Sequence, residues 1–191
     1  MNKSSLASLA AFLAAAAPAQ SAPARAPIPT NAWGCAPADM PELCRLADED
    51  QKDRKAVPID WDKVTARDSQ RREAVLALLR TSNLKTSGDY FHAALVMQHG
   101  EAWEDFAAAH LLSIRALQLS PADPNAQRMV AATWDRMMHS MGKKQWFGTN
   151  TFRNAQGVAE PKETRPYRLP QSLIDLWSRP WVFPKSDAQG K

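Results

Sequence analysis

The stretch DYFHAALVMQHGEAWEDFAAAHL, Asp89 to Leu111, decides the fold. At 100° per residue, His92 and His99 fall about 20° apart on one side of a helix. Leu95 and Val96 flank them, while Tyr90, Ala93, Ala94 and Met97 cover the opposite side. A helix that is apolar nearly all round belongs at the centre of a domain. Gly100 ends it. A further helix from about Ala102 to Leu119 places His110 in the stripe Phe106, Ile114, Leu117, the side that packs inward.

The neighbouring segments repeat this grammar. Pro41 to Lys55 reads as a helix stopped by Pro58, with Ile59-Asp60-Trp61 as a short tether. Thr65 to Leu84 reads as another, its apolar side built from Ala74, Val75, Leu78 and Leu79. Ser87-Gly88-Asp89 breaks that pattern and caps the central helix, which runs to His99. Asp123-Pro124 opens a last helix, which continues to Met141. No period-two pattern occurs, so the class is all-α, built from antiparallel helical hairpins. From Lys143 onward glycine and proline recur, which predicts an irregular, Pro-rich C-terminal wrap with one short helix at Gln171 to Trp177.

The N-terminus points to export. Met1-Asn2-Lys3, the apolar run Leu6 to Ala17 and Ala17-Pro18-Ala19 match a secretory signal peptide, placed at residues 1–22. The run is too short to span a bilayer, so a periplasmic or secreted protein without a transmembrane segment is expected. Residues 23–45 form a Pro/Ala-rich linker, 46–152 the helical domain and 153–191 the extended segment. Cys35 and Cys44, the only cysteines, are expected to form a disulfide in an oxidising compartment. Their spacing is not CxxC and no histidine is close in sequence, so no metal is assigned to them. The formal charge is +4, with acids and bases interspersed, as in DEDQKDRK from Asp48 to Lys55. That pattern argues against nucleic acid as a partner.

The three histidines of the opening stretch admit three readings. They can form a structural network that ties helices through Asp89, Asp135 and Gln98. They can line a groove for a peptide, protein or small polar ligand. They can act in catalysis or bind metal, although no HExxH, GxSxG or P-loop is present and no cofactor is indicated. His139 falls on the polar side of its helix with Asp135 and Arg128 and reads as solvated. QWFGTNTF, Gln145 to Phe152, has a glycine between an aromatic residue and a threonine, which suits a turn needing positive φ or a close backbone approach. It is either a ligand loop or a buckle anchored by Trp146 and Phe147. Trp146, Trp177 and Trp181 are likewise either a sugar-stacking platform or anchors for the C-terminal segment.

AAAHLLSIRALQLSPADPNAQ places Ala109, Ala116 and Pro121 at tetratricopeptide-like spacing over about one repeat and a half. In combination, DEDQKDR, IDWDKV, ARDSQRREAVLALL, DYFHAALVMQHG, AAH, DR (Asp135 and Arg136) and QWFGTN resemble an uncharacterised bacterial family whose members read DYxHAAxxxQHG, AH, DR and QxFGTQ. The resemblance covers residues 46–152 and departs at Asn150, where the family carries glutamine. It implies a fold and a residue set but no reaction. The expected function is an exported helical binding module. Its candidate ligand-binding residues are His92, His99, His110, Asp135, Arg136, Gln145 and Thr149, supported by Asp89, Gln98 and Asn150. The alternative is a small envelope hydrolase with a His/Asp pair as general base.

Overall fold

The computed structural model describes residues 34–153, 159–161 and Ser172. The signal segment, most of the linker, the C-terminal tryptophans and, apart from Ser172, the short helix expected at Gln171 to Trp177 lie outside the described residues. Five helices make up the domain: α1 Pro41–Asp53, α2 Trp61–Thr81, α3 Ser87–Met97, α4 Trp103–Leu119 and α5 Pro124–Ser140. Strands β1 Thr151–Arg153 and β2 Ala159–Pro161 pair antiparallel, with Phe152 opposite Glu160, in a region expected to be irregular.

Local chemistry sets the helix starts. α2 begins earlier than the apolar pattern indicates, because Asp60 accepts a hydrogen bond from the Lys63 amide and so caps the helix instead of lying in a tether. α3 opens with a capping box. The Asp89 amide donates to the Thr86 hydroxyl at 2.9 Å, and the Thr86 amide donates to Asp89 Oδ2 at 3.1 Å. Pro124 occupies the first turn of α5 behind the Asp123 cap.

α3 is the central helix: Phe91 and every residue from His92 to Met97 are buried. Around it pack Leu43, Leu46 and Ala47 of α1, Val75 of α2, Ala109, Leu112 and Ala116 of α4, and Ala126 and Met129 of α5. Cross-helix contacts fix the directions. Met40 bonds to Asp89, and Asp50 to His99, so α1 and α3 run parallel. Ser87 at the start of α3 bonds to the Ala116 carbonyl near the end of α4, so that pair is antiparallel. α2 runs antiparallel to α1, because Asp53 at the end of α1 meets Arg67 and Arg71, while Asp50, a turn earlier, approaches Arg71, a turn later, at 4.0 Å. Both ends of α3 therefore lie against α1, one near its beginning and one near its end.

Candidate functional site

The buried stripe of α1 is Leu43, Leu46, Ala47 and Asp50, so a carboxylate occupies a position where the helix period demands an apolar side chain. The first half of α2 does the same with Val64, Asp68, Arg71 and Val75. A buried charge is stable only when paired and hydrogen-bonded, and here the charges meet across the helices. Arg54 reaches Asp50 at 2.9 Å and Asp68 at 2.5 Å. Arg71 reaches Asp68 at 2.7 Å and Asp53 at 2.9 Å. Burial alone would raise the Asp53 and Asp68 carboxyls, but hydrogen bonds from these arginines, and from Arg67 to Asp53, hold them below the usual range.

His99 closes the network from the end of α3. Its Nδ1 lies 2.9 Å from Asp50 Oδ1, which also accepts from Arg54, while Asp50 Oδ2 accepts from Gln51. A carboxylate only accepts, so Nδ1 carries the proton and Nε2 keeps the lone pair. Burial pulls the imidazole pKa down to about 4; the Asp50 hydrogen bond opposes this, and the charges of Arg136 and Arg54 add to the lowering. At neutral pH the ring is uncharged.

Beside it lies a cavity of about 230 Å³. Gln51 and Arg54 come from the end of α1, Gln98 and His99 from the end of α3, Arg128 and Arg136 from α5, and Thr149 and Asn150 from the loop after α5. Arg136 differs from Arg54 and Arg71. Its Nε donates to Gln98 Oε1 at 3.2 Å, and no carboxylate lies within ion-pair distance of it among the described residues. Burial and repulsion from Arg54 lower its pKa to about 10.

The loop 145–150 is wound around one buried carboxylate. Asp135 accepts from the amides of Trp146, Phe147 and Thr149 at 2.7, 3.0 and 2.9 Å and from the Thr149 hydroxyl at 2.8 Å. Gln145 pairs both its amide oxygen and its amide nitrogen with the backbone of Asn150, and Gly148 takes φ +71° where the chain reverses. The Trp146 ring rests on Trp134 at 5.1 Å. Asp135 and Gln145 thus build the loop, and Thr149 and Asn150 present it to the cavity. On the far side of Arg136, Thr149 and Asn150 a second cavity of about 470 Å³ is lined by Glu101, Phe106, His139, Ser140 and Thr151. His139 is exposed, as its place on the polar side of α5 implies.

The structure separates the three histidines of the opening stretch. Only His99 lines either cavity. His110 Nδ1 bonds to the Thr133 hydroxyl at 3.0 Å and its ring packs on Trp134 at 5.4 Å, joining α4 to α5. His92 is fully buried at the middle of α3 against Cys35 and Cys44, which are joined by a disulfide with Cα atoms 6.0 Å apart. The expected network partners are corrected too. Asp89 accepts the amides of Met40, Lys85 and Thr86, tying the start of α3 to α1, and Asp135 serves the loop.

Asp50, Gln51, Arg54 and Arg128 are cavity or network residues that the sequence reading left among solvated charges. The signal for Asp50 was its place on the stripe Leu43, Leu46, Ala47. The segments DEDQKDR, QHG, DR and QWFGTN, far apart in the chain, all reach this one cavity. Searches against family models, curated proteins and solved structures found no match for the chain. Among the described residues, no helix is long and apolar enough to cross a membrane.

Proposed function

We propose that this chain is a binding module for a small anionic ligand, a carboxylate or phosphate, held on Arg136 in the cavity at the end of α3. The observation that carries the reading is the contrast among the buried arginines. Arg54 has two carboxylates and Arg71 three, whereas Arg136 has one neutral amide and faces the cavity. A half-buried guanidinium with no carboxylate in contact, Asp50 acting on it only from a distance, is poorly compensated, and a bound oxyanion would supply the missing charge through bidentate hydrogen bonds. Gln51, Gln98 and Asn150 offer neutral donors and acceptors around it. The disulfide and the lack of a membrane-spanning helix among the described residues are compatible with the exported location expected from the leader.

Calorimetric titration of the folded chain with inorganic phosphate, sulfate and a short dicarboxylate tests this. One of these probes should bind with 1:1 stoichiometry to the parent and at least tenfold more weakly to Arg136→Gln. Equal binding by both proteins, or none by the parent, would refute the reading.

A second reading, hydrolysis of an anionic ester, is favoured by the Asp50–His99 pair, in which Nε2 keeps a lone pair that can take a proton from water. It ranks second because a pKa near 4 makes that nitrogen a weak base.

A further inference from the structure

Two turns back along α3 from the cavity, at the middle of the helix, His92 is fully buried and its ring lies against both sulfurs. Cys35 Sγ is 3.5 Å from Nε2 and Cys44 Sγ is 3.8 Å from Nδ1. A disulfide needs no imidazole beside it, since any apolar neighbour would pack there without a buried polar ring. One donor atom from each of the three residues falls in a group whose members all lie within 4.8 Å of one another. The Cys35 Sγ–His92 Nε2 separation is that of two ligands on one ion, whereas Cys44 Sγ, bonded to Cys35 and nearest Nδ1, is free to turn toward that ion only once the disulfide is broken. With metal–sulfur and metal–nitrogen bonds of about 2.3 and 2.0–2.1 Å, the sulfur–nitrogen edge of a tetrahedron is about 3.5 Å.

We propose that Cys35, Cys44 and His92 form a redox-gated site for a thiophilic divalent cation of the zinc type, closed by the disulfide when oxidised and opened by dithiol reduction. A small dithiol delivers two electrons and two protons. The sulfur–sulfur bond breaks to give two thiols, and the reductant leaves as its cyclic disulfide. The cation then displaces both thiol protons, binding two thiolates and one neutral imidazole nitrogen, so the filled site carries no net charge. Cys44 is the sulfur better placed to react first. It is less buried than Cys35 and sits in the first turn of α1, where the helix amides favour a thiolate.

Asp48 supplies an independent observation. It lies one turn beyond Cys44 on α1, and its Oδ1 is buried with no hydrogen-bond partner. It is close enough to His92 for the two to interact electrostatically. Three donors leave a fourth position, and this carboxylate is placed to serve a water held there. The proposal uses no residue of the anion cavity, so it stands or falls separately.

The test is a Co²⁺ titration of the full chain, first oxidised, then reduced and freed of reductant under anaerobic conditions. The reduced protein should bind one Co²⁺ with sulfur-to-cobalt charge transfer in the near ultraviolet and intense tetrahedral visible bands. The oxidised protein should show neither. His92→Asn should bind at least tenfold more weakly with an altered visible spectrum, and the double variant Cys35→Ser/Cys44→Ser should lack the charge-transfer band. If the reduced chain loses helical circular dichroism, Co²⁺ should restore it. Reduced parent and double-serine variant binding alike, His92→Asn keeping the parent's affinity and spectrum, or a reduced chain that cobalt neither binds nor refolds would each overturn the proposal.

Discussion

His92 and His99 fall on one side of α3, seven residues apart, yet the middle of the helix and the residues just past its C-terminal end put them in unlike surroundings. His92 is wholly enclosed, against sulfur and nearly perpendicular to the Phe91 ring at a centroid separation of 5.5 Å. His99 keeps 9 % of its side chain exposed, is held by Asp50, and faces a cavity with arginines in its wall. Residue type and helix face are therefore not enough to define a site. What distinguishes the two places is charge: His92 lies against a disulfide, whereas His99 joins a network in which three acids and several arginines meet, and Arg136 has no carboxylate in contact among the described residues.

The largest expected effect lies at the charged end. Asp50→Ala removes the carboxylate shared by Arg54, Gln51 and His99 and should cost about 3–5 kcal/mol in urea unfolding. A loss under about 1 kcal/mol would show that the network is surface decoration and would dissolve the contrast. Beside the disulfide, His92→Ala opens a hole in the core and should cost about 2–4 kcal/mol in the oxidised protein, unaffected by chelator. An equally stable variant would mean that the ring is held there at a cost to stability.

Titration gives the next effect. The folded pKa of His99, about 4, lies below its ordinary 6.5, so the unfolded chain takes up the proton first. Its contribution is complete above about pH 6.5 and is lost as pH falls towards 4, by roughly 3 kcal/mol in all. His110, also lowered by burial, acts in the same direction. The depressed Asp53, Asp68 and Asp89 add their losses only below about pH 4. The stability of His99→Gln should therefore fall less steeply between pH 6.5 and 4 than that of the parent; parallel curves would contradict the assignment. The smallest effect is at Asn150→Gln, which lengthens a side chain that lines both cavities. It should shift stability by under about 0.5 kcal/mol while changing anion affinity several-fold, as the calorimetric titration would show.

The helices were legible from their apolar periods, reinforced at the starts of α3 and α5 by side-chain caps. α3 reads as central from Tyr90 to Met97, and so it is. The start of α2 was misplaced because Trp61 and Asp62 carry no apolar period and Asp60 was not weighed as a cap. The site was half legible. Gln98, His99, Arg136, Thr149 and Asn150 were named from motifs and do gather at the cavity, but Asp50 and Arg54 sat in a run that looks solvated. Spatial partners were beyond reach for a different reason. Cys35 and His92 are 57 residues apart, and no periodicity links a linker cysteine to a helix three elements later.

The central claim is that Arg136 is kept for a ligand and not for the fold, and the unfolding free energy of Arg136→Met, with and without saturating phosphate, tests it most directly. The account predicts a variant as stable as the parent or more so, with the phosphate-induced stabilisation gone. A variant that loses about 2 kcal/mol or more and still responds to phosphate as the parent does would contradict it.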